Sequence, residues 1–118
     1  MIMKQLLAFN NSLDANRLIV TTHSPYLING LTVAVKAGML LASCSPSDGM
    51  RERINSVFPA ESAIQPDEIA IYEFNEVKGT VTVLDTYHGL PSDDNFLNNM
   101  LERTNEDFAD LLEIQQEL

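Results

Sequence analysis

The chain has 118 residues and a formal net charge of −10, enough for one domain with a modest core and too short for a complete large nucleotidase. Hydrophobic residues make up 45% and charged residues 20%, which excludes wholesale disorder. No apolar run approaches the roughly 18 to 20 residues of a membrane span, so no membrane association is expected.

The acids are unevenly spread. Up to Ala60 three acids stand against five bases, whereas the remaining 14 acids meet only Lys78 and Arg103. A phosphate backbone is repelled by such a surface, so direct nucleic-acid binding by the C-terminal half is disfavoured. The first residues lack the basic, apolar and small-residue order of a secretory signal. Cys44, as the single cysteine, allows no internal disulfide. A cytoplasmic location is expected.

In chain order, Ile2, Met3, Leu6, Phe9 and Leu13 recur at helical spacing and predict an amphipathic helix. Asn10 to Asn16 hold turn formers that end it. Leu18, Ile19, Val20, Thr21 and Thr22 form a β-branched and aliphatic run, the pattern of a strand covered on both faces inside an α/β sheet. Ser24 and Pro25 are preferred N-cap and first-turn residues, so a helix is expected to start there and run toward Leu41. Gly30 and Gly38 weaken it by about 1 kcal/mol each unless close packing offsets the loss.

Ser43 to Gly49 is rich in breakers and reads as a mobile loop; Met50 to Phe58 is compatible with a short helix; Pro59 to Asp67 reads as irregular. Residues 69–75 and 80–86 alternate well enough for two strands, and Glu76 to Gly79 has hairpin length with Gly79 suited to positive φ. Ser92 to Asn95 form an N-cap cluster for a helix carrying Phe96, Leu97, Met100 and Leu101. Thr104, with Asp107 three residues later, predicts the start of a separate last helix bearing Phe108, Leu111 and Leu112.

The chemistry is limited by what the sequence lacks. The five glycines never fall in a Gly-x-x-x-x-Gly-Lys-Ser/Thr phosphate loop, and neither Gly-x-Gly-x-x-Gly, His-Glu-x-x-His nor Gly-x-Ser-x-Gly occurs. Asp93 and Asp94 are neighbours and read as capping groups rather than a metal pair. His88, in Tyr87-His88-Gly89, reads as a turn residue. His23 stands out, because it ends the expected central strand just before a helix N-terminus, where open α/β sheets bind anionic ligands.

Leu18 to Ile28, centred on Thr21-Thr22-His23-Ser24-Pro25, resembles the switch-histidine segment of ABC-type and related AAA ATPases, especially the group similar to overcoming-lysogenisation-defect, RecF-like and SMC-like proteins. The match is specific over about a dozen residues, and the flanking helices extend it over the first 40 or so. The resemblance implies that His23 hydrogen-bonds the γ-phosphate of ATP and helps position the attacking water. Thr22 and Ser24 are implied as neighbours in the nucleotide-contacting site. In that family the Walker A loop, signature motif and Walker B carboxylates lie upstream. ATP and Mg2+ are therefore expected only in an intact enzyme; this chain alone is expected to bind no cofactor and to be inactive.

The expectation is an α/β fold, a partial P-loop NTPase-type sandwich with a helix–strand–helix (1–42), an irregular connection (43–68), a hairpin (69–86) and two C-terminal helices (92–118). Its implied partner is the remainder of an ATPase domain, its implied process DNA repair or phage defence. Uncovered strand and helix surfaces predict homo-oligomers in isolation. The competing expectation is a self-contained acidic protein-interaction module in which His23 is structural.

Overall fold

A computed structural model describes residues 2–43 and 47–118. Among them the order is α1 (Ile2–Asn11), α2 (Pro25–Ser43), α3 (Asp48–Val57), 3-10 turns at Ala60–Ser62 and Pro66–Glu68, β1 (Tyr72–Asn75), β2 (Thr80–Val83), β3 (Thr86–Tyr87), β4 (Leu90–Pro91) and α4 (Phe96–Gln116). The architecture is thus mixed helix and small antiparallel sheet. β1 pairs with β2, and β3 with β4, each as a separate two-stranded hairpin.

The core gathers on α2. Ala34 and Val35 are completely buried, and Ala37 nearly so. Met3 and Leu7, four residues apart and therefore on one face of α1, pack into the same cluster with Ile54, Phe58 and Ile64. Gly38 has a packing reason to be in this helix. A Cβ there would overlap the Ile64 carbonyl, so glycine lets the chain after the first 3-10 turn cross α2 closely. Two hydrogen bonds hold the crossing, from the Ile64 N–H to the Ala34 carbonyl at 3.3 Å and from Gln65 Nε2 to the Gly38 carbonyl at 3.0 Å.

α1 is lashed to the same segment through backbone acceptors. Asn11 Nδ2 donates to the carbonyls of Glu61 at 3.1 Å and Ala63 at 2.9 Å. The buried Ser62 hydroxyl donates to the Lys4 carbonyl at 2.6 Å. These bonds fix which face of α1 looks inward. Ile2 and Phe9 consequently remain on the outside, each 73% exposed.

Several expectations need correction. Leu18 to Thr22 form no strand: the segment between α1 and α2 has no regular secondary structure and is exposed. A central strand requires neighbours to take up its N–H and C=O groups, and among the described residues none lies alongside. The helix–strand–helix is therefore a helix, an open segment and a helix. Within residues 43–68, the 10-residue α3 matches the short helix expected at Met50 to Phe58, and the connection expected to be irregular after Pro59 contains two 3-10 turns. Cys44, Ser45 and Pro46, in the loop expected to be mobile, lie outside the described residues.

The hairpin is present but shorter than expected, in the register Tyr72 with Val83 and Phe74 with Val81. α2 has 19 residues and a mean hydropathy of 1.4, so by length and composition it is apolar enough to cross a membrane, contrary to the reading of the sequence. In this fold it is the helix around which the core packs.

The two expected C-terminal helices are one. α4 runs 21 residues without interruption, because Thr104 does not cap a new helix. Its hydroxyl instead donates back to the Met100 carbonyl at 2.9 Å, which satisfies it within a continuing helix. The true N-cap is Asn95, whose side chain accepts the Asn98 N–H at 2.9 Å, within the cluster expected to cap. Asn98 and Asn29 exchange side-chain hydrogen bonds at 3.2 and 3.3 Å, joining the start of α4 to α2. Residues 99–118 are all exposed. The radius of gyration is 17.9 Å, against about 13–14 Å for a compact chain of this length, as a projecting helix requires.

Candidate functional site

Thr22, His23 and Ser24 sit together immediately before α2. The helix starts at Pro25, whose fixed φ suits a first helical position and whose missing N–H costs nothing there. The Ser24 N–H donates to Thr22 Oγ1 at 2.9 Å, a serine/threonine turn that pins the backbone on both sides of His23. The Leu27 N–H reaches the Ser24 carbonyl at 3.3 Å, closing the first turn. His23 itself is exposed, and Ser24 is half-buried.

This arrangement suits an anion. α2 has no acid in its first turn, so the positive end of its dipole is not neutralised locally. An exposed imidazole beside the amides at that end can donate a hydrogen bond to a phosphate or carboxylate oxygen. No carboxylate occurs between Asp14 and Asp48, so this stretch offers a cation no acidic ligand. Among the described residues no group of three or more His, Cys, Asp or Glu side chains could hold a metal. A shallow hollow lined by Pro66, Ile69, Leu84, Gly89 and Pro91 does not include His23.

Next to the site the surface is apolar. Leu18, Ile19 and Val20 are exposed, Ile19 to 92%. The outer face of α1 adds Ile2, Leu6 and Phe9. The β1–β2 hairpin presents a further apolar face, because Tyr72, Phe74, Val81 and Val83 are cross-strand partners and all exposed. Alternation in the sequence marked the two strands; that this face points to solvent was not legible.

His88 stands apart from this site, in the two-residue turn between β3 and β4. Its φ of 50° and the φ of 80° at Gly89 are the paired positive values of a type I′ hairpin. That is a turn role, as its sequence neighbours suggested. Asp93 and Asp94 precede α4; Asp94 Oδ1 accepts from Asn99 Nδ2 at 2.9 Å, a contact between side chains, while the backbone amide of Asn98 is capped by Asn95. Comparison with protein-family models, with curated proteins and with solved structures finds no match to this chain.

Proposed function

We propose that the chain supplies the γ-phosphate-sensing histidine, His23, to an ATP site whose other walls come from the remainder of an ATPase domain. The observation that carries this reading is the exposed His23 held by the Thr22–Ser24 turn at the N-terminal end of α2. The uncovered Leu18–Val20 segment beside it is rich in strand-forming residues and lacks a sheet, which fits a strand that pairs with that remainder. P-loop NTPase-type architecture belongs to the completed domain.

In such a site ATP supplies the phosphoryl group that water attacks. His23 donates a hydrogen bond to a γ-phosphate oxygen, the α2 amides favour the negative charge, and Thr22 and Ser24 hold the imidazole in place. Phosphate cradling, magnesium coordination and the general base fall to other segments, so this chain alone is inactive. The process, DNA repair or phage defence, rests on the resemblance alone.

The test is ATP hydrolysis by the full-length protein carrying His23→Ala. The expected result is a fall in kcat of about a hundredfold with nucleotide binding largely kept; an unchanged rate removes the assignment. A second reading, an acidic interaction module with a structural His23, is favoured by the projecting acidic α4. It predicts no nucleotide-dependent effect of His23→Ala, and the exposure of His23 weighs against it, because a structural histidine is ordinarily held among partners.

A further inference from the structure

We infer that α4 is a self-association helix, pairing antiparallel with α4 of a second copy of this chain. Leu97, Leu101, Thr104, Phe108, Leu111 and Gln115, with Leu118 two residues past the helix end, follow one another at alternating four- and three-residue steps, the spacing of a coiled-coil seam. From Leu101 onward every one of them is exposed, and Met100, Leu112 and Ile114 widen the same stripe. Glu102, Glu106, Asp110, Glu113 and Glu117 lie on the opposite side of the helix by this spacing, so the seam is nearly free of charge.

The seam is complementary to itself reversed. With the two-fold axis between Ala109 and Asp110, Leu101 meets Leu118 of the second copy, Phe108 meets its Leu111, and Thr104 meets its Gln115. Apolar side chains thus face apolar ones, and the two polar seam residues face each other. That reciprocity is what an isologous interface demands. Asp107, the acid nearest the seam, falls near Ile114 of the second copy rather than near another acid.

The exposed parts of the apolar side chains from Met100 to Leu118 amount to roughly 700 Å² per copy, taking about 170 Å² for a large side chain. A standard interface takes about 800 Å² from each partner, so the seam is at the low end of stable pairing. An antiparallel pair also keeps the two bodies, which carry about half of each chain's net charge of −10, at opposite ends of a rod about 32 Å long.

Sedimentation of the chain across a concentration series tests this. A monomer–dimer equilibrium with Kd on the order of 10 µM is expected, strengthened by added salt because screening relieves acid–acid repulsion. Helical circular dichroism should rise with the dimer fraction. Phe108→Ser with Leu111→Ser should weaken association about a hundredfold without altering the core, which these residues do not touch. In a Cys44→Ser background, Thr104→Cys combined with Gln115→Cys should cross-link into dimers while Thr104→Cys alone should not.

A monomer at about 100 µM overturns the proposal. So does a dimer that survives the paired serine substitutions, since α1 or the Leu18–Val20 segment would then hold it. Cross-linking by Thr104→Cys alone overturns the antiparallel register. Association weakened by salt overturns self-pairing and points instead to a basic partner.

Discussion

Glu73 Oε1, on β1, accepts the backbone N–H of Phe96 at 2.8 Å, so the hairpin caps a helix that starts more than twenty residues later. Together with Asn95 it satisfies two of the free amides at the start of α4, and its carboxylate faces the positive helix end. Glu73→Ala should lower unfolding stability by about 1 kcal/mol, and Glu73→Gln by less, since the amide oxygen still accepts. Urea denaturation followed by circular dichroism reads this directly; an unchanged midpoint in Glu73→Ala would show that the contact contributes nothing.

Gly38→Ala should destabilise, although alanine is the better helix former by about 1 kcal/mol. The new methyl meets the Ile64 carbonyl, which is backbone and cannot rotate away. A net loss of about 2 kcal/mol is expected once the crossing shifts. A rise in the urea midpoint would mean that the crossing relaxes freely.

Hydrogen exchange should divide the first 43 residues sharply. Leu18 to Thr22 have no ladder partner among the described residues, so their amides should exchange at nearly unprotected rates, while Val35 and Gly38 in α2 exchange only through larger openings. If the remainder of an ATPase domain proposed above is supplied, protection of Leu18 to Thr22 is the signature of a strand inserted in a sheet. Equal rates in both settings would remove that part of the functional proposal.

Core and surface substitutions should differ in the same way. Val35 has no exposed surface, so Val35→Ala should cost about 2 kcal/mol. Ile19→Ala, at a side chain 92% exposed, should stay within about 0.5 kcal/mol in the isolated chain. Thermal denaturation of the two variants decides between this picture and one in which Leu18 to Val20 are already packed.

Much of the local structure was legible because local chemistry determines it. Helical spacing from Ile2 to Phe9 marked α1, Ser24 and Pro25 marked the start of α2, and Gly79, with φ of 64°, marked the hairpin turn. The placement of Thr22, His23 and Ser24 before α2 was also legible, being contiguous. The Leu18–Thr22 strand was not a local property: β propensity describes fit to neighbours, and among the described residues none pairs with it. Thr104 misled for a related reason, since its hydroxyl can cap a new helix or bond back one turn, and nothing nearby breaks α4. Glu73 capping Phe96 and Ile64 crossing Gly38 depend on tertiary approach, for which neither partner carries a sequence signal.

The lashing of α1 has a consequence for synthesis. Asn11 finds its acceptors 50 and 52 residues later, and Ser62 reaches back 58 residues to Lys4. At about 5–20 residues per second, a ribosome makes α1 several seconds before the segment that holds it. Through that interval Met3 and Leu7 have no partner in the first 3-10 turn. α1 is therefore made well before the acceptors and donors that hold it, and its inward face stays uncovered until the chain has grown by 50 residues or more.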